Sequence, residues 1–531
     1  MLTSLEIENF KGIAARQRID FAPLTLLFGA NSAGKSTILQ ALVYLYELIE
    51  RGSADVDRTE LGGHILELGG YARLVHQHDT TRAIVLRAEF ATPGGLERFG
   101  RDLSDFPFPD LDDEVESAWL ELTVDYRTTT AFRGPIVSQV RIGVNGEPEP
   151  LVWLEVGATM REGEPLNARV NMGHRLLADA RGDPQQTLVP HWVHSEITET
   201  WKRIAILPEG AGDGEGGYGA GLPDGSGFGD GRSLPVFALA RQRGSALPSP
   251  NEPMRVIPFG DETHDAGAIA QQVRTFLEMV VLGTTSQLAS FLRDAQYIGP
   301  LRTIPPRGFL YERAGRITSW ADGLAAWDLL LADRLTLVER TNEWLRKLNV
   351  GCKVVVQQLF EGNADAEDLA AGHVDKTVRR LLLDTGAGSF VLPSEVGAGI
   401  SQLIPVVVAA IEGRGGLSLV EQPEIHVHPA VQVGLGDLLL DAANREGQRR
   451  IIFVETHSEH LLLRIMRRMR ETHEGAVPEG VRPVRPEDVS VVLVERDGSR
   501  SISRKMPLNE RGELVKAWPG GFFEEGLREV L

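Results

Sequence analysis

The nine residues GANSAGKST, 29–37, carry the densest chemistry in the chain. Gly29, Gly34, Lys35 and Ser36 satisfy the spacing G-x-x-x-x-G-K-[ST]. Glycines at those places let backbone N–H groups wrap a β-phosphate, and a helix beginning at the end of the loop adds partial positive charge. Asn31, Ser32, Ala33, Gly34, Lys35, Ser36 and Thr37 are the candidate nucleotide-binding residues. Lys35 is expected to reach the β/γ-phosphates of ATP and the Ser36 hydroxyl to bind Mg²⁺.

A second stretch, LSLVEQPEIHVHP (417–429), ends an apolar run in Glu421, Gln422, Pro423 and Glu424. A carboxylate at a strand end can hold the Mg²⁺ hydration shell, which makes Glu421 the metal candidate. Gln422 can orient a water but cannot accept its proton at neutral pH. Two routes stay open. Either Glu424 acts as the base, or the water loses its proton late to phosphate itself; capping of the next helix is the structural alternative for Glu424. His426 and His428 form an H-x-H pair with no third ligand at useful spacing, so packing or a subunit contact is the preferred role.

A third stretch, RIIFVETHSEHLLLRI (450–465), ends an apolar strand at Glu455, Thr456 and His457. A polar side chain there can hydrogen-bond a γ-phosphate, and His457 is chosen for that role. His460 reads as a helix or interface residue. Arg464, Arg467 and Arg468 fall at i, i+3 and i+4, giving one basic helix face whose simplest role is solvation.

These residues need elements to hold them. Leu24–Phe28 is an apolar run that enters the Gly-rich turn, and Ile38, Leu42, Leu45 and Ile49 then follow helical spacing. A strand–loop–helix unit results, preceded by a half-exposed hairpin. RAIVLRAEF, AWLELTVDY and VSQVRIGV read as strands between turn residues. Residues 268–293 and 320–349 have helical patterns, and 380–456 alternates strand and helix. Between 209 and 232, eleven of twenty-four residues are Gly, which predicts a mobile loop. No heptad run is long enough for a coiled-coil arm.

The net charge of −19 argues against non-specific coating of nucleic acid, while leaving room for a local basic groove. Cys352 is the only cysteine, which excludes an internal disulfide and a cysteine zinc site and fits a reducing cytoplasm. MLTSLEIENF is not a signal peptide, and LIPVVVAAI (403–411), the best membrane candidate, is too short to span a bilayer. A cytoplasmic protein without membrane contact is expected.

Taken in order, these pieces resemble the ABC-type ATPases of the SMC/RecF and OLD (overcoming lysogenization defect) group. LEIENFKGI is similar to that family's first strand, GANSAGKST to its Walker A, LSLVEQPEIHVHP to its Walker B and D-loop, and ETHSEHLLLRI to its His-switch stretch. SEVGAGISQLIPVVVAA occupies the place of the signature segment. YIGPLRTIP (297–305) and WPGGFFEE (518–525) resemble a bacterial AAA-family ATPase subgroup.

The resemblance implies an α/β P-loop NTPase of ABC-ATPase type, its core split in sequence by a β-rich and helical insertion. The pieces are 1–90 (core, Walker A), 91–289 (insertion), 290–475 (core, with signature-like, Walker B and His-switch segments) and 476–531 (a C-terminal strand and helix segment). It also implies a dimer, or pairs of dimers, with ATP between Walker A of one subunit and the signature segment of the other. In that segment Gly397 stands where Ser is expected. Gly397 and Gly399 backbone N–H groups are the candidates to replace it, with Ser394 or Ser401 as hydroxyl alternatives. Gln77 is the nearest candidate for the family's glutamine switch on the metal. Arg302 either contacts phosphate or locks the core to the insertion. SVVLVERDG faintly suggests a Toprim nuclease, but no Asp-x-Asp follows it, so any DNA cleavage must come from a partner.

The expectation is a slow ATPase acting as a dimer switch for an effector, such as a nuclease encoded nearby, in anti-phage defence or DNA repair. The alternatives are a non-hydrolysing ATP-stabilised scaffold and a RecF-like ATPase that binds DNA structures.

Overall fold

The computed structural model describes residues 1–57, 67–96, 115–129, 132–157, 166–171, 174–176, 236–239, 245–249, 253–257, 264–293, 295–307, 319–332, 335–360, 377–386, 388–412, 416–444 and 450–519. The Gly-rich stretch 209–232 and most of WPGGFFEE lie outside the described residues. The chain forms two compact units. The first comprises Met1–Arg18, Ala41–Asp57 and Gly69–Ser290, and the second Ile19–Gln40, Arg58–Leu68 and Phe291–Leu531.

Strands β1 (Leu2–Glu8), β2 (Gln17–Asp20) and β3 (Leu24–Phe28) precede the phosphate loop. β4 (Ile84–Ala91), β5 (Ser117–Thr128), β6 (Arg133–Val144), β7 (Val152–Val156), β8 (Leu166–Val170), β9 (Val236–Leu239) and β10 (Val256–Ile257) follow. A nine-stranded sheet runs in the order β10-β9-β8-β7-β6-β5-β4-β1-β2. Strand β4 pairs with β1 on one side and β5 on the other, so the sheet that opens the chain continues without a break into the strands beyond residue 91. Alternation selects its faces: Ile84, Leu86, Ala88 and Phe90 are buried, while Arg87 on the opposite face stacks over Trp119 at 3.7 Å.

The first unit also holds the longest apolar helical run. Gln271–Arg293 joins two α-helices through a π-helical turn at Glu278–Leu282. It is the one described helix long and apolar enough to cross a membrane by length and composition, a stretch that the shorter 403–411 run had overshadowed in sequence. Inside the structure 72% of that window is buried, so protein already covers most of its surface.

The second unit is built on a six-stranded sheet that includes β11 (Gln296–Ile298), β15 (Leu417–Glu421), β16 (Ile451–Glu455), β17 (Val489–Asp497) and β18 (Arg500–Lys505). Its order is β11-β15-β16-β3-β17-β18. All neighbours are parallel except β17 and β18. Strands β3, β15 and β16 are buried at every residue, which accounts for their continuous apolar runs. Three further strands, β12 (Lys353–Phe360), β13 (Thr377–Asp384) and β14 (Phe390–Val391), form a separate antiparallel sheet.

Helices Ala398–Glu412, Pro429–Ala443 and Glu459–His473 bury Leu403, Leu438 and Leu461 in one core with Leu26, Phe28 and Val454. Pro429 opens its helix at the position that tolerates a missing N–H, and the His428 ring Nδ1 accepts the Ala430 N–H at 3.2 Å. His428 therefore caps a helix. The basic face expected at Arg464, Arg467 and Arg468 is largely paired: Arg464 and Arg468 bond Asp437 at 3.2 and 2.7 Å, and Arg467 bonds Glu471 at 2.7 Å.

Candidate functional site

Strands β3, β16 and β15 lie side by side and end together, which gathers the three sequence stretches at one edge of the second unit's sheet. The register pairs Glu421 with Glu455 and Glu455 with Leu27. After β3 the chain turns through Gly29, whose φ is +148°; a Cβ there would lie 2.1 Å from the Val494 carbonyl oxygen. Only glycine fits that approach. Asn31 and Ser32 are exposed on the loop, Ala33, Lys35 and Thr37 are buried, and Gly34 and Ser36 are half-buried.

Lys35 Nζ donates to the carbonyls of Gly29 and Ala30 at 3.0 and 3.1 Å and stands 3.6 Å from Glu455 Oε1. Burial lowers its pKa, opposed by the carboxylate of Glu455. The Ser36 hydroxyl donates to Glu455 Oε2 at 2.7 Å. Glu455 is the residue the sequence reading passed over: attention at the end of β16 went to His457, and only strand pairing reveals that Glu455 faces the loop.

Glu421, one strand further out, accepts the Tyr297 hydroxyl at 2.8 Å. Burial and the neighbouring Glu455 raise its carboxyl to about 7. Gln422 adopts φ 43° and donates its backbone N–H to the Glu455 carbonyl at 2.7 Å, turning the chain sharply past the strand end. Glu424 Oε1 accepts the His457 backbone N–H at 2.6 Å. Burial raises the Glu424 pKa, against that hydrogen bond, and burial with nearby Lys35 lowers that of His457. Glu424 Oε2 and His457 Nε2 are buried polar atoms without a hydrogen-bond partner among the described residues. Such atoms are costly unless something meets them.

Arg302 is 3% exposed and acts as a lock within this unit. Its Nη2 donates to the Glu421 carbonyl at 2.6 Å and its backbone N–H to Gln402 Oε1 at 2.9 Å, while the Gln402 amide returns a bond to the Arg302 carbonyl. Burial lowers its pKa to about 10. These contacts match neither role considered for Arg302: they reach neither a phosphate nor the insertion, and instead tie Gln402 and the Glu421 strand together within the unit. In that helix Gly397 is exposed and Gly399 half-buried; a Cβ on Gly399 would lie 2.3 Å from the His426 carbonyl oxygen. Ser401 is fully buried and donates to the Pro393 carbonyl at 2.7 Å, which removes it as a spare hydroxyl; Ser394 is exposed. His426 is exposed at φ 61°. Gln77 belongs to the first unit, in the 3-10 turn His76–His78 at φ 54°.

The donors fit a magnesium nucleotide: a lysine, a hydroxyl and carboxylates at the mouth of a glycine turn. Among the described residues there is no group of three or more His, Cys, Asp or Glu that could hold a metal ion.

Comparison with known proteins agrees with this arrangement. The family described as "AAA ATPase domain" matches residues 1–90, and the family described as "AAA domain, putative AbiEii toxin, Type IV TA system" matches residues 328–464. These two family matches support an ABC/AAA-type ATPase. They cover the phosphate-loop stretch and the Glu421 and His457 stretches. No curated protein matches it. Among solved structures it is similar to an SMC head bound to the C-winged helix domain of ScpA, at 10% identity and TM-score 0.39, covering 96% of this chain and 98% of that one. A Thermotoga maritima SMC head domain follows, at 8% identity and TM-score 0.35, covering 96% and 99%.

Proposed function

We propose that the chain binds MgATP at Gly29–Thr37, hydrolyses it slowly, and uses the bound nucleotide to switch a dimer that controls a partner effector. The observation that carries this reading is the meeting of Glu424 and His457 beside the phosphate loop's strand, each with a buried polar atom left over. In this proposal Lys35 would hold the β/γ-phosphates, Ser36 and Glu421 would face the cation, and Mg²⁺ would neutralise phosphate charge. Glu424 takes the proton of the attacking water; a carboxyl shifted upward by burial is a better base near neutral pH than an ordinary one. His457, whose pKa is lowered by burial, would donate a ring N–H to a γ-phosphate oxygen. Gln422 orients the water.

Exposed Gly397 and half-buried Gly399 would serve the partner copy's nucleotide with backbone N–H groups, and Gln77 would assist at the cation. The effector is read as a separately encoded protein such as a nuclease, in anti-phage defence or DNA repair. The toxin–antitoxin wording of the second matched family supports such a two-component arrangement. A cytoplasmic location belongs to the same reading.

One observation favours a second reading. Gln422 in place of a carboxylate, with Gly397 in place of a serine, suits a scaffold that binds ATP without hydrolysing it. A RecF-like DNA role has less support, because the net charge is −19 and Arg464, Arg467 and Arg468 are already engaged by Asp437 and Glu471. Sedimentation with and without MgATP, alongside phosphate release, tests the proposal. It expects ATP-dependent dimers in the wild type, monomers in Lys35→Ala, and slow sustained release. Dimers with release at background would replace the switch by the scaffold.

A further inference from the structure

The Walker-type reading assigns the cation to Ser36 and Glu421, yet the carboxylate that touches Ser36 is Glu455. Its Oε2 accepts the Ser36 hydroxyl at 2.7 Å and its Oε1 stands 3.6 Å from Lys35 Nζ. Neighbouring ligands of an octahedral cation with bonds of about 2.1 Å are about 3.0 Å apart. The Ser36 and Glu455 oxygens are within a few tenths of an ångström of that spacing, with only a hydroxyl proton between them. Glu421 has the Tyr297 hydroxyl on Oε1 and sits on β15, one strand further from β3 than β16. Strand spacing is about 4.8 Å, so Glu455 begins a full strand nearer the phosphate loop.

Two backbone bonds fix Glu455 in this place. The Thr456 N–H donates to the Leu27 carbonyl at 3.0 Å, and the Gln422 N–H donates to the Glu455 carbonyl at 2.7 Å. The strand end is thus tied on both sides, to the strand that enters the loop and to the strand that carries Glu421. The residue is 5% exposed, and both of its carboxylate oxygens face residues of the loop.

We propose that Glu455, rather than Glu421, is the carboxylate that shares the nucleotide's divalent cation with Ser36. Glu421, bonded to Tyr297, stands behind it as a positioning residue. The inference rests on the MgATP reading of this site. It predicts that the anomalous Glu-Gln pair at the end of β15 is relieved of cation binding by the neighbouring strand.

The test measures cation affinity, not turnover. Mn²⁺ is titrated by electron paramagnetic resonance into full-length protein saturated with a non-hydrolysable ATP analogue. Analogue affinity is measured separately in EDTA, and thermal melting checks that each variant folds. Glu455→Gln and Ser36→Ala are each expected to weaken Mn²⁺ binding by at least about tenfold, with analogue affinity in EDTA within about threefold of wild type; Glu421→Gln weakens Mn²⁺ by less than about threefold. Unchanged Mn²⁺ affinity in Glu455→Gln would overturn the proposal, as would a tenfold loss confined to Glu421→Gln. Tighter analogue binding in EDTA by Glu455→Gln, without a change in Mn²⁺, would make Glu455 a competitor for Lys35 and equally overturn it. Failure of the wild type to bind the analogue at all would overturn the MgATP reading itself.

Discussion

Glu424 and His457 meet through a hydrogen bond of 2.6 Å between the Glu424 carboxylate and the His457 backbone N–H, across 33 residues of chain. Each belongs to a turn that ends a buried strand, and each keeps one buried polar atom unmatched among the described residues. In the proposed mechanism the Glu424 base and the His457 ring move together, because a shift of either turn breaks their shared bond. Several outcomes follow from that coupling and from the contacts around it.

Removing the Lys35 ammonium takes away a buried cation that reaches the loop carbonyls and Glu455. Lys35→Ala is expected to weaken ATP binding by about a hundredfold, read by fluorescence titration with a labelled nucleotide. Affinity within threefold of wild type would place the phosphates elsewhere.

His457→Ala is expected to keep ATP affinity within about threefold while lowering turnover by about 10- to 100-fold, since the backbone N–H that holds Glu424 survives and only the ring is lost. Matched ATP titrations and phosphate-release rates read the two effects apart.

The Glu421 carboxyl gives a pH signature. Burial, then Glu455, raises it from 4.5 to about 7. A carboxyl raised on folding favours the folded state fully below its unfolded value and loses that contribution as pH climbs through the folded one. Wild type is therefore expected to lose stability relative to Glu421→Gln between about pH 5 and pH 8, by up to about 3 kcal/mol. Urea unfolding of both proteins at the two pH values checks the sign. A difference that stays flat, or grows in favour of wild type at high pH, contradicts the environment described for Glu421.

Arg302 ties the signature-like helix to the end of β15 through Gln402 and the Glu421 carbonyl. Arg302→Ala leaves buried carbonyls unmatched and is expected to cost about 2–4 kcal/mol in denaturant unfolding. Because the contact is positional, Arg302→Lys should restore only part of that loss.

The strand–loop–helix around Gly29–Thr37 was legible in sequence because everything it needs is local: an apolar strand, glycines and a helical repeat. So were β15 and β16, whose burial on both faces writes continuous apolar runs. Glu455 was not, because its meaning depends on β16 lying beside β3, a pairing between residues more than four hundred positions apart. The arginines at 464, 467 and 468 looked like one basic face because Asp437, which bonds two of them, is on another helix. Arg302 kept two readings open for the same reason: its partners at 402, 421 and 422 become neighbours only in the fold. The strands beyond residue 91 were recognised individually, but their continuity with β1 and β4 rests on hydrogen bonds between strands, which composition does not encode.

The most direct test of the central claim is steady-state phosphate release from MgATP by wild type and Glu424→Gln, both first shown to bind ATP. The account predicts slow turnover above background in the wild type and a loss of about 100-fold or more in Glu424→Gln at unchanged ATP affinity. Equal rates in the two proteins, or a wild type at background, would contradict it.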